Sequence, residues 1–173
     1  MFVLNPVRRW APLLGLVVGL LAVYGVTLHT PPFFDDINLF DDVARWQFIP
    51  YVVGGKRFLS YAAFHFVDAL APGSVLAQRL FDLGLHVANA LLLYALVRSV
   101  SRREASRESV PSWGPAAAVA WFALSPVSLY AVAYLQQRSI VMATTFALLS
   151  YLFFVSSLES SANVVAITIE RCC

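Results

Sequence analysis

VLAQRLFDLGLHVANALLLYALV, at positions 75–97, is a mostly apolar segment in which Arg79, Asp82 and His86 can carry charge. An α-helix rises about 1.5 Å per residue, so about 20 residues cross the roughly 30 Å hydrocarbon core of a membrane. This segment therefore predicts a transmembrane helix rather than an element of a soluble domain.

Three further apolar segments of similar length flank it, at residues 11–28, 115–135 and 139–158, and none contains a charged residue. The whole chain is 60% hydrophobic and 13% charged, whereas soluble domains are about 45–50% apolar and about 25% charged. Lipid offers no partners to backbone amides, so helices are the expected form. The sequence predicts an all-α integral membrane protein of about four transmembrane helices, with Pro126 kinking the third.

Basic residues predict the orientation. Cytoplasmic loops are enriched in lysine and arginine, and arginines lie in the amino-terminal segment 1–10 and in the connector 98–114: Arg8, Arg9, Arg98, Arg102, Arg103 and Arg107. We expect a multi-pass protein of the plasma (inner) membrane with a cytoplasmic amino terminus and an uncleaved first span. The loop 29–74 and the turn 136–138 then face outward, and a tail follows at 159–173.

The outward loop begins with an acidic motif, FFDDIN, at positions 33–38. Asp35 and Asp36 directly follow the first span, and a partly desolvated carboxylate there can serve as a general base. The alternative, favoured by the residue types alone, is that Asp36 or Asn38 caps the next helix. Many aromatic residues at 43–70 predict one or two amphipathic helices lying in the membrane interface.

The segment 75–97 also carries a polar face. Its polar residues follow the spacing i, i+3, i+7 and i+10, which places them on one side of a helix: Arg79, Asp82, His86 and Asn89. Ionisable groups within a membrane face a protein interior or a wet cavity. This face is either a structural network, with Arg79 paired to Asp82 and His86 bonded to a neighbouring helix, or a functional site.

Two arginines offer a phosphate clamp on the outer side. Arg138 lies in the outward turn and Arg57 in the outward loop, and a guanidinium binds phosphate through two parallel hydrogen bonds. An acid beside such a clamp suits transfer from a phosphorylated lipid. The net charge of +2 implies no nucleic-acid partner. No cofactor and no metal spacing are indicated, although the residue types leave a divalent metal open.

Four motifs occur in a familiar order: FFDDIN at 33–38, KRFL at 56–59, DLGLHVAN at 82–89 and YLQQRS at 134–139. Together they resemble the amino-terminal part of the GT-C glycosyltransferases, in particular the proteins fused to tetratricopeptide repeats and related to protein O-mannosyltransferases. The resemblance implies a polyprenyl-phosphate sugar donor, a hydroxyl acceptor, and Asp35 or Asp36 as the base. By position, it also implies Arg57, His86 and Arg138 on the donor side.

The chain departs from that family in its number of spans and in its final residues. GT-C enzymes have many more spans than four, and residues 159–173 match no expected segment, so a truncated enzyme is the expectation. Two other functions stay open. One is a non-catalytic membrane subunit whose polar face binds a partner helix, and the other is a small transporter component using Asp82 and His86.

Overall fold

The computed structural model describes residues 6–33, 36–37, 57–104 and 113–172, and these residues form helices joined by short turns. The predicted all-α class is thus confirmed for this part of the chain. The α-helices are α1 (Pro6–Gly25), α2 (Phe58–Leu70), α3 (Val75–Glu104), α4 (Gly114–Ala123), α5 (Pro126–Ala133) and α6 (Arg138–Cys172). A 3-10 turn at Val26–His29 follows α1, and another at Leu135–Gln137 leads into α6.

Helix α3 is the centre of the bundle. It packs most extensively against α6 and α4 and also contacts α1, α2 and α5. The apolar core lies between α1, α3, α4 and α5, and its buried members are Leu16, Leu20, Tyr24, Leu83, Ala90, Val119, Ala123 and Val132. The three residues from α1 are spaced four apart, so they form one stripe that faces α3 and α4.

The prediction of one kinked helix over the third span, 115–135, is wrong. The helix is interrupted at residues 124–125, between α4 and α5. Pro126 has no N–H to donate to the carbonyl of Phe122. The Ser128 hydroxyl donates to that carbonyl instead, at 2.8 Å. The carbonyl of Ala123 accepts from the Tyr24 hydroxyl at 2.7 Å and from His86 Nε2 at 3.0 Å. Neighbouring helices therefore satisfy the backbone groups that the break exposes.

Several other boundaries also differ from the predicted ones. Helix α1 begins before residue 11, at Pro6, and α3 continues past residue 97 to Glu104. Helix α6 continues through most of the predicted tail, to Cys172. No proline or glycine interrupts the sequence at 98–104 or at 139–172, so nothing local ends either helix. Within the segment predicted to form interfacial helices, Phe58–Leu70 is helical as α2, whereas residues 38–56 lie outside the described residues.

Two helical stretches, Val75–Ser101 and Leu135–Leu158, are long and apolar enough to cross a membrane. The stretches Leu13–His29, Phe58–Leu70 and Gly114–Ala123 are apolar but shorter. By length and composition, the described residues thus supply two spanning helices, where the sequence predicts about four.

Candidate functional site

Four charged side chains lie inside the bundle, and we call them the buried charge cluster: Asp36, Arg79, Asp82 and Arg138. Each is at most 1% exposed to solvent. They come from the start of the acidic loop, from α3 and from the first residue of α6. Two acids balance two arginines, which matters because an unpaired buried charge is strongly destabilising.

Asp36 is bound to the beginning of the last helix. Its Oδ2 accepts a hydrogen bond from the backbone N–H of Leu135 at 3.2 Å, and its Oδ1 accepts one from Gln136 at 3.1 Å. The first N–H groups of a helix have no partners within it, and an anion is favoured there. Asp36 is therefore a helix cap, as its residue type suggests, but it caps the turn leading into α6 rather than the helix that follows it in sequence.

Asp82 forms an ion pair with Arg138, with 2.5 Å between Oδ1 and Nε. The predicted pair between Arg79 and Asp82 is therefore wrong. Arg138 Nη2 also donates to the carbonyl of Gln78 at 3.0 Å. The guanidinium lies 3.7 Å from the ring centroid of Phe64, so an aromatic face covers it.

Arg79 binds backbone carbonyls at the end of the first apolar segment. Its Nη1 donates to Thr27 at 2.9 Å, to Leu28 at 3.5 Å and to Thr30, and its Nη2 donates to Pro31 at 3.1 Å. The last carbonyls of a helix lack partners within it, and a cation is favoured there. Arg79 thus caps the backbone carbonyls that follow α1.

His86 and Asn89 continue the polar face of α3 towards its other end. His86 is 3% exposed and its Nε2 donates to Ala123, while its ring meets Tyr24 edge-on at 5.1 Å between centroids. Asn89 Nδ2 donates to the carbonyl of Val141 at 3.0 Å. The polar residues selected by helical spacing are thus all inside the bundle, and these two bind backbone on α4 and α6.

The remaining predicted site residues lie elsewhere. Arg57 is exposed at the beginning of α2, and Asp35 lies outside the described residues. Sequence reasoning overlooked Gln78, which is 2% exposed and donates from Nε2 to the carbonyl of Phe64 at 3.1 Å. Its position one turn before Asp82 was the available signal. Tyr24 was also overlooked, and its place in a charge-free apolar segment gave no signal.

The cluster keeps hydrogen-bonding capacity that the described residues do not fill. Arg79 Nε, Asp82 Oδ2 and Arg138 Nη1 are buried without a hydrogen-bond partner in the described part of the chain, as is Oε1 of the neighbouring Gln78. Such atoms are rare in folded proteins and mark places where a further polar group can bind. No group of three or more acidic, histidine or cysteine side chains within residues 6–33, 36–37, 57–104 and 113–172 could hold a metal ion.

Three of the four sequence motifs, FFDDIN, DLGLHVAN and YLQQRS, converge here. Phe33 stacks on Tyr134 with 5.6 Å between ring centroids, Asp36 binds Leu135 and Gln136, and Arg138 pairs with Asp82. Comparison with protein-family models, curated proteins and solved structures finds no match to this chain. Function is therefore inferred from contacts within the chain itself.

Proposed function

We propose that this chain is a membrane-embedded glycosyltransferase of the GT-C type. It transfers a sugar from a polyprenyl-phosphate donor to a hydroxyl acceptor on the outer side of the membrane. The observation that carries this proposal is the convergence of three motifs, distant in sequence, on the buried charge cluster. An acidic loop held against an arginine at a helix start is an arrangement that suits transfer from a phosphorylated lipid.

The distribution of polar and apolar side chains supports the membrane setting. The charged cluster is buried, whereas large apolar side chains face outward from α3, α4 and α6, including Leu80, Leu91, Trp121, Phe146 and Phe153. In water, an extensive apolar surface is costly and drives association. In lipid the same surface is favoured, and the charges belong inside.

The proposal divides the work between the two neighbouring aspartates. A general base must come within hydrogen-bonding distance of the hydroxyl that it deprotonates. Asp36 is 0% exposed and both of its oxygens accept backbone hydrogen bonds, so its carboxylate is committed to holding α6. We therefore assign the base to Asp35 by elimination and a positioning role to Asp36.

The three basic residues predicted on the donor side also take different roles in this proposal. Arg138 is 0% exposed and neutralises Asp82, and His86 is bound to Ala123 at the break between α4 and α5. Arg57 is exposed at the start of α2, which leaves it accessible to a lipid phosphate. In this proposal Arg57 contacts the donor phosphate, and Arg138 holds the acidic side of the site in place.

The test is sugar transfer by the full chain in proteoliposomes that contain a polyprenyl-phosphate sugar and a hydroxyl acceptor. We expect Asp35→Asn to lower kcat by about 10²-fold or more, because it removes the base, while the melting temperature in detergent stays unchanged. We expect Arg57→Gln to raise KM for the donor with little change in kcat. Asp68→Asn is the matched control. Its Oδ1 accepts a hydrogen bond from the backbone N–H of Gly73, just after α2, and Asp68 is not a member of the buried charge cluster.

Asp36→Asn separates the two aspartates. It weakens both hydrogen bonds to the start of α6, so we expect a lower melting temperature together with slower transfer. The proposal fails if the wild-type chain transfers no sugar from any polyprenyl-phosphate donor, or if Asp35→Asn works at the wild-type rate. Loss of transfer in Asp36→Asn at an unchanged melting temperature contradicts the division of roles.

A further inference from the structure

The four carbonyls bound by Arg79 all lie in the short stretch between the end of α1 and the acidic motif. They belong to Thr27, Leu28, Thr30 and Pro31, and the arginine that binds them is 1% exposed. A guanidinium has five donors in a rigid planar fork, so it can hold several carbonyls in a fixed arrangement. An ammonium group at the same place concentrates its charge at one point and cannot reproduce this fork.

Contacts at three residues hold the beginning of the acidic loop in place, and all three lie within residues 31–36. Arg79 holds Pro31, the ring of Tyr134 stacks on Phe33, and the amides of Leu135 and Gln136 hold Asp36. One of these contacts comes from α3 and the other two from the turn before α6.

We infer that Arg79 is a positioning residue for the acidic motif: it fixes the loop's first residues relative to α3 and α6. This inference rests on the proposed function for its purpose, although the positioning itself is measured without any sugar transfer. In the part of the chain that the structure describes, the hydrogen bonds of the Arg79 guanidinium go to residues 27–31. Its removal should therefore release residues 27–31 from α3, while the packing of α3 on α6 and the bonds of Asp36 to Leu135 and Gln136 stay intact.

The experiment measures distances between pairs of spin labels by pulsed electron paramagnetic resonance in lipid. Cys172 and Cys173 are first replaced by serine. One pair, at His29 and Leu91, reports the segment 27–31 against α3, and a reference pair at Leu91 and Phe146 reports α3 against α6. All three positions are exposed, so labels fit without repacking the interior.

In Arg79→Met we expect the sharp distance between positions 29 and 91 to become a broad distribution, while the distance between positions 91 and 146 stays sharp. Arg79→Lys should lie between wild type and Arg79→Met. Arg98→Met is the matched control on the same helix, where the guanidinium lies over the ring of Tyr94, and it should change neither distance. Unchanged distances in Arg79→Met overturn the inference. Broadening of both pairs also overturns it, because Arg79 then supports the whole bundle.

Kinetic measurements on the same Arg79 variants test whether this positioning affects catalysis. A misplacement of about 1 Å costs as much as 10²-fold in rate, so we expect Arg79→Met to lower kcat strongly with KM for the donor unchanged. Arg79→Lys should recover part of kcat. If the wild-type chain transfers no sugar, the proposed function fails while the spin-label result stands. If the loop distance broadens and kcat is unaffected, the positioning is real but serves another purpose.

Discussion

At the scale of single residues, the ion pair of Asp82 with Arg138 makes the sharpest prediction. Both side chains are 0% exposed, so Asp82→Asn leaves a buried guanidinium uncompensated. We expect this change to lower the free energy of unfolding by about 3–5 kcal/mol, measured by denaturant titration in mixed micelles. Arg138→Gln should have a similar effect, and the double variant Asp82→Asn/Arg138→Gln should lose much less than the sum. Additive losses contradict a direct pair, and Arg98→Gln serves as the control.

The same residues show what the sequence alone could provide. Helical spacing was enough to place Arg79, Asp82, His86 and Asn89 on one face of α3 and to predict that this face looks inward. It could not identify their partners, since Arg138 follows Asp82 by 56 residues and Leu135 follows Asp36 by 99. Sequence reasoning chose the nearer partner for Asp82, because charges one turn apart are the pairs that local spacing reveals.

At the scale of elements, the break between α4 and α5 depends on side chains from other helices. The Ala123 carbonyl accepts from Tyr24 and His86 because Pro126 has interrupted the helix. We expect Tyr24→Phe to cost about 1 kcal/mol of unfolding free energy. In a Pro126→Ala background the helix can continue, so Val127 N–H becomes available to Ala123 and the same change should cost less. Tyr94→Phe on α3 is the control, and an equal cost of Tyr24→Phe in both backgrounds contradicts this account.

Helix boundaries were harder to predict than helix existence. In the described residues, all four apolar segments are mostly helical. A helix is the form expected of such segments, because it satisfies the backbone hydrogen bonds within the segment itself. A proline indicated a disturbance at position 126, but whether it kinks or breaks a helix depends on which neighbours can satisfy the freed carbonyls. The extension of α6 to Cys172 was missed for a related reason. No proline or glycine in the sequence marks the end of this helix. The prediction therefore places its end near residue 158, where the apolar segment stops.

At the scale of the whole molecule, the number of crossings depends on whether α1 and the broken pair each cross the membrane. Helices α4 and α5 are each too short to span a membrane, but together with the break they cover residues 114–133, about 30 Å at about 1.5 Å per residue. Helix α6 has 35 residues, so it is about 52 Å long and exceeds the hydrocarbon core. If α1 and the broken pair each cross once, the two long helices bring the total to the four predicted crossings, and both arginine-rich segments lie on the same side.

That count is tested with single cysteines introduced after Cys172 and Cys173 are replaced by serine. A membrane-impermeant maleimide should label Ile37→Cys in intact cells, since residue 37 is exposed and the predicted topology places it on the outer side. Ser106→Cys in the basic connector should be labelled only after permeabilisation. Glu159→Cys decides the broken pair: if α4 and α5 cross, α6 returns residue 159 to the cytoplasm and protects it. Labelling of Glu159→Cys from outside means that the broken pair does not cross, and labelling of Ser106→Cys from outside reverses the orientation on which the outer acidic loop depends.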